Sequence, residues 1–140
     1  REARMRKGFT CSAFDLLHAG HIEMLKDARN QCDYLIVGLQ TDPTMDRPEK
    51  NQPVQNVSER YIQLDALSCV DEIIPYATEA ELLNLIKMID PYVRILGEEY
   101  KDKDFTGRDF CENEGVNLYY NKRKHDYSTS DLRRRVVEND

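Results

Sequence analysis

The sequence predicts an α/β fold, a parallel sheet of about five strands flanked by helices. Short apolar, β-prone runs alternate with amphipathic helical runs along the whole chain. One of those strands, residues 34–39, is apolar at nearly every position, as a strand covered on both faces must be. The 140 residues read as a single domain, 1–140, large enough for a real core. No internal repeat, low-complexity tract or long linker divides them.

The first strand is expected over 7–12 and the first helix over about 21–31, with Ile22, Leu25 and Ala28 on one face. Between them lies Phe14-Asp15-Leu16-Leu17-His18-Ala19-Gly20-His21. Two histidines three apart therefore sit where a strand turns into a helix. That edge of an α/β sheet is where ligands bind, and exposed helix amides there favour phosphate. Gly20 lets backbone approach a ligand closely.

After the second strand, residues 41–53 hold three prolines and no periodicity, so they form a loop. It follows the carboxyl end of that strand and should overhang the same edge as the histidines, bringing Arg47 and Lys50 with it. A helix over 58–67 is read with Ser58 as its cap and Tyr61, Leu64 and Leu67 facing inward. Residues 68–74 carry the chain into the third strand. The helix at 79–88 is apolar at Leu82, Leu83, Leu85, Ile86 and Ile89 and stops at Asp90-Pro91. Strand four is 93–97, then a polar loop, a helix over 108–114 and strand five over 115–120. Ser128 or Thr129 opens the last helix, so hydroxyls and free amides face one anion, which Arg123 can grip bidentately. Arg133-Arg134-Arg135 reads as a solvated face, and His125 receives no role.

The net charge of −6 argues against nucleic acid or an anionic membrane surface as the main partner. It leaves room for a small phosphorylated ligand. No apolar run approaches the roughly 20 residues that span a bilayer, and no signal peptide is visible. The chain opens on Arg1, which reads as a fragment or as leftover residues ahead of Met5. Cys11, Cys32, Cys69 and Cys111 show no metal-site spacing and are expected as free thiols in a reducing cytoplasm, with Cys11 in a packing role.

The first motif resembles the HxGH signature of the nucleotidyltransferase superfamily in its cytidylyltransferase branch, of the glycerol-3-phosphate cytidylyltransferase type. Phe14-Asp15 and His18-x-Gly20-His21 match, while Ser12-Ala13 replace Gly-Thr. Glu59-Arg60-Tyr61 is similar to the branch's R-x-E-R-Y helix, and Val70-Asp71-Glu72 to R-Y-V-D-E-V, with Ser68-Cys69 in place of Arg-Tyr. Gly97-Glu98-Glu99-Tyr100 resembles G-D-D-W, and Arg123, Ser128 and Thr129 match R-T-E-G-I-S-T-T.

The resemblance implies a Rossmann-like sheet and transfer of CMP from CTP to a phosphorylated small alcohol or sugar, giving pyrophosphate and a CDP-linked product. It implies catalytic roles for His18, His21, Lys50 and Arg123. It places the nucleotide against Ala13, Phe14, His18, Gly20 and His21, against Gly97 and Glu98, and against Arg123, Tyr127, Ser128 and Thr129. Either histidine is expected to titrate near neutral pH, as an unperturbed imidazole does at about 6.5. Mg²⁺ is expected on the triphosphate, with no residue set aside as a metal ligand. A homodimer is implied by the family's use of the R-Y region. Two alternatives stand beside this: an adenylyltransferase using ATP, and a nucleotide-binding module without turnover.

Overall fold

The computed structural model describes residues 5–122 and 127–139. Five parallel strands form one sheet: β1 (Lys7–Ser12), β2 (Tyr34–Gln40), β3 (Glu72–Tyr76), β4 (Val93–Gly97) and β5 (Asn117–Asn121). Their spatial order is β3-β2-β1-β4-β5, giving a Rossmann-like α/β architecture. The chain steps outward from β1 to β3 and then crosses back to the other side of β1. The strand order therefore reverses between β1 and β4, where ligands of such sheets bind beyond the carboxyl ends.

Two apolar layers sandwich the sheet because side chains alternate along each strand. Leu35, Val37 and Leu39 of β2 pack with Leu25 and Ala28 of α1 (Ala19–Arg29) and Leu64 of α2 (Val57–Asp65). Ile36 points the other way and joins Phe9, Leu82 and Ile86 of α3 (Glu79–Ile89), and Cys111 of α4 (Arg108–Glu114). At Gly38 a Cβ would stand 2.9 Å from the Phe9 ring, so only glycine lets that ring lie against the strand. The last helix, α5 (Thr129–Glu138), has no buried residue along its length.

The helix ends follow from local chemistry. Thr78 and Glu81 cap α3 reciprocally. Asp90 closes it in the left-handed region, φ 45°, directly before Pro91. Two details of α2 differ from the sequence reading. Its cap is Asn56, boxed with Glu59, not Ser58. The residue facing inward is Arg60, 1% exposed, and not Tyr61, 39% exposed.

Arg60 is buried because its guanidinium finds main-chain acceptors. It donates to the carbonyls of Gln55 at 3.1 Å, Ala13 at 2.9 Å, Gln40 at 2.6 Å and Thr41 at 2.6 Å. Ala13, Gln40 and Thr41 are the first residues beyond, or the last of, β1 and β2, so one side chain fixes both strand exits. No helix among the described residues is long and apolar enough to cross a membrane.

Candidate active site

The loop from β1 to α1 is held in a strained form. Phe14 and Leu16 adopt left-handed backbone, φ 51° and 49°, which costs a non-glycine residue roughly 1–3 kcal/mol and persists only where its surroundings enforce it. The surroundings do so here. Phe14 is buried, with its ring edge-on to His21 at 5.5 Å. The Leu16 amide donates to Gln55 Oε1 at 2.8 Å. The Asp15 carboxylate between them accepts from the amides of Val54 at 2.9 Å and Gln55 at 3.0 Å, and from Arg133 Nη2 at 2.8 Å. Burial pushes Asp15 up, but those three donors outweigh it and hold the carboxyl below its ordinary range.

The two histidines cap α1 in a reciprocal pair. His18 Nδ1 accepts from the Gly20 amide at 3.0 Å, and the His18 amide donates to His21 Nδ1 at 3.2 Å. The rings stack with centroids 3.9 Å apart. A ring nitrogen that accepts from an amide carries no proton, so each neutral ring holds its proton on Nε2. The capping that starts the helix thus also sets the tautomer. Gly20 is buried at this turn.

The expectation that either histidine titrates near neutrality fails for His21. Burial first, and then the neighbouring His18, push it down to about 4, against a weaker opposing pull from Asp15. His21 is therefore neutral at pH 7, with its one N–H on Nε2. The sign of the stability effect follows: the folded pKa lies below the unfolded one, so stability is intact above about pH 6.5 and falls as pH drops toward 4. We expect the advantage of the wild type over His21→Gln to shrink by ~2–3 kcal/mol between those limits. Thermal melts of both proteins at pH 7.5, 5.5 and 4.5 check this, and a gap constant with pH would refute it.

Two adjoining clefts meet at the strand exits. The narrower, about 270 Å³, is bordered by Phe14, Asp15, His21, Lys50, Thr129 and Arg133. The wider, about 490 Å³, runs along the α3 side of the sheet past Cys11, Arg47, Tyr76, Arg94, Gly97 and Thr106. Ser12, Ala13, Pro43 and Lys50 border both. Arg47 also pairs with Glu79 at 3.5 Å.

The sequence-predicted residues divide accordingly. Ala13, Phe14, His21, Lys50 and Thr129 share the narrower cleft, with His18 stacked on His21. Gly97 borders the wider cleft, and Glu98 begins the short 3-10 turn that follows it. Ser128 caps α5 by accepting from the Asp131 amide at 3.0 Å, and Tyr127 is exposed. Arg123 and His125 lie outside the described residues.

The reading of Arg133 as part of a solvated face is overturned. Arg133 pairs with Asp15 and borders the narrower cleft, while Arg134 and Arg135 pair with Asp131 along the exposed helix. Thr129 Oγ1 likewise donates to the Asp15 carbonyl at 3.3 Å. The signal was available: Arg133 is one turn beyond Thr129 and so shares its face. The described residues contain no group of three or more metal-binding side chains.

Helix-capping histidines thus stand at the switch point of a 3-2-1-4-5 parallel sheet, beside a lysine and an arginine in one cleft, in a chain that its family and relatives place in the nucleotidyltransferase superfamily. The family model described as cytidylyltransferase-like matches residues 9–135, and the chain belongs to that family. It is 36% identical over 137 residues to the bifunctional protein HldE of Nitrobacter winogradskyi, covering 97% of this chain and 28% of that protein. The HldE of Hyphomonas neptunium is 37% identical over 116 residues, covering 82% of this chain and 24% of its own length. The chain therefore spans about a quarter of the length of these relatives.

Among solved structures, a lipopolysaccharide core biosynthesis protein from Thermoplasma volcanium shares the fold, with a TM-score of 0.68, 23% identity, and coverage of 89% of this chain and all of that one. The pantoate-beta-alanine ligase of Francisella tularensis, complexed with beta-gamma ATP and beta-alanine, shares it with a TM-score of 0.59 and 18% identity. That likeness covers 90% of this chain and 61% of the ligase.

Proposed function

We propose that the chain transfers CMP from CTP to a phosphorylated small alcohol or sugar, releasing pyrophosphate. The observation that carries this is the His18–His21 pair at the start of α1, its tautomers set by backbone and its cleft shared with Lys50, Thr129 and Arg133. A phosphate oxygen of the acceptor attacks the α-phosphorus. The bond from that phosphorus to the bridging oxygen of the β-phosphate breaks, and pyrophosphate leaves with the electron pair. The acceptor brings its own oxyanion, so no residue becomes a nucleophile. The protein holds two anions in line and stabilises charge growing on the α-phosphate.

The histidine N–H groups and the amino end of α1 serve the α-phosphate. Thr129, Arg133 and Arg123 hold the departing phosphates, with Ser128 shaping the start of their helix. Lys50, on both clefts, bridges nucleotide and acceptor. Gly97, Glu98 and Tyr127 border the nucleoside. Mg²⁺ enters with the triphosphate as part of the substrate. We place the reaction in the cytoplasm, consistent with four free cysteines, and in a homodimer whose contact includes the exposed Tyr61 and Ile62 of α2.

A second reading, AMP transfer from ATP, is favoured by the beta-gamma ATP held on this fold in the Francisella ligase. A panel of the four triphosphates with Mg²⁺ and a pool of phosphorylated alcohols and sugars separates them by pyrophosphate release. We expect release with CTP. Release with ATP alone supports the second reading. Tight nucleotide binding with no release from any pairing supports a module without turnover.

A further inference from the structure

Arg94 of β4 is only 3% exposed, yet no carboxylate of the described residues comes within 4.0 Å of it. A guanidinium buried without a counter-charge is costly, and proteins keep one where something else supplies the anion. The neighbours do not supply it. Burial pushes both the Cys11 thiol and the Tyr76 phenol up, so each is neutral near pH 7. Glu79 is engaged by Arg47 at 3.5 Å and by the Thr106 hydroxyl at 3.3 Å.

The head group is nonetheless well held. Nη1 donates to the Thr106 carbonyl, and the guanidinium lies 4.9 Å from the centre of the Phe105 ring. Gly107 makes that contact possible, with φ +88° and a Cβ position only 2.9 Å from Nη1. On the opposite edge Nε is buried with no acceptor, and beyond the Thr106 carbonyl the guanidinium meets, among the described residues, only the Cys11 and Cys111 thiols, weak acceptors that burial keeps uncharged. This edge belongs to a side chain that borders the wider cleft. A fork of two parallel N–H groups matches an oxyanion, not a single carbonyl.

We infer that Arg94 forms an oxyanion site in the wider cleft and selects the acceptor by an anionic group that it carries, a phosphate or an equivalent acid. The inference rests on the wider cleft being the acceptor's side of the nucleotidyl-transfer site. Arg94 then discriminates a phosphorylated alcohol from the bare alcohol, because loss of the anion leaves its fork unfilled.

The test uses the full chain labelled with ¹⁵N and saturated with Mg²⁺ and the α,β-methylene analogue of CTP, whose P–C bond blocks transfer to the added acceptor. The buried Nε–H of Arg94 gives its own resonance, identified by its absence in Arg94→Lys. Inorganic phosphate and glycerol 3-phosphate should each shift it saturably, and glycerol should not. In Arg94→Met, which keeps the apolar stem, calorimetric affinity for glycerol 3-phosphate should fall at least 10-fold while CTP affinity stays within twofold. A resonance unmoved by either phosphate overturns the site, as does an Arg94→Met protein that melts like wild type and binds glycerol 3-phosphate equally well. The titration of the wild type stands even where Arg94→Met fails to fold. Repeating it without nucleotide separates the two readings: a shift in a protein that binds no triphosphate keeps the anion site and removes nucleotidyl transfer. CTP binding with no shift does the reverse.

Discussion

Replacing His18 with Asn and His21 with Gln together lowers nucleotidyl transfer by at least ~100-fold while the helix remains. The pair makes two separable contributions. As caps, their Nδ1 atoms accept from the amides of Gly20 and His18. As donors in the proposed reaction, their remaining N–H groups meet charge that grows on the α-phosphate. Asn is a strong N-cap, and Gln three residues later can still reach back to the cap amide, so the double variant keeps the first contribution. It removes the second, for which loss of one preorganised donor typically costs roughly 3–4 kcal/mol. The melting temperature should therefore stay within about 3 °C while turnover collapses. The alanine pair should lose activity equally and also about 1 kcal/mol or more of stability, because the caps go too. Pyrophosphate release and thermal melts on the same preparations separate these effects, and an active Asn/Gln variant would refute the assignment.

The largest expected loss of stability comes from Arg60→Met. The methionine fills much of the volume but leaves the carbonyls of Ala13, Gln40, Thr41 and Gln55 without their donor. Each buried carbonyl left without a donor costs about 1–3 kcal/mol, so together, after partial relaxation, they cost about 3–5 kcal/mol, which lowers the melting temperature of a chain this size by roughly 10–15 °C. Because three of those carbonyls sit at the exits of β1 and β2, the clefts should also lose shape, and KM should rise in the protein that remains folded. Arg60→Lys should recover only part of the loss, since an ammonium cannot span acceptors that the guanidinium fork reaches together. A melting temperature within 3 °C of wild type for Arg60→Met would show that the network contributes little.

Arg60 also marks where the sequence stopped being legible. The strands were readable because their apolar runs need both faces covered, and α3 was readable because its apolar stripe and capping residues agree. Along α2, a charged residue at an inward position carries no hydrophobic signal. The eye then settles on Tyr61, one position away, and rotates the helix. Only the four main-chain acceptors justify burying Arg60, and they come from segments up to 47 residues distant.

The site divides in the same way. The spacing of His18 and His21 disclosed where they lie, because a strand-to-helix turn is a local event. Their reciprocal capping and the acid shift of His21 depend on ring orientation and burial, which no spacing reveals. The left-handed backbone at Phe14 and Leu16 has no signature in residues that usually avoid it. Asp15 was visible as part of a motif, but its hold on Val54, Gln55 and Arg133 joins three distant parts of the chain. Arg133 and the Asn56 cap were readable in principle, the first from its phase with Thr129 and the second from Glu59 three residues on.

The most direct test follows phosphorus through the reaction. The full chain is incubated with CTP, Mg²⁺ and glycerol 3-phosphate, then with the wider pool of phosphorylated alcohols and sugars, and ³¹P spectra are recorded. Attack on the α-phosphate predicts pyrophosphate and, in equal amount, a new pair of resonances from a P–O–P bridge joining nucleoside and acceptor. Orthophosphate with CDP would contradict it, because that pattern places the attack on the γ-phosphate and leaves the two histidines without a reaction to serve.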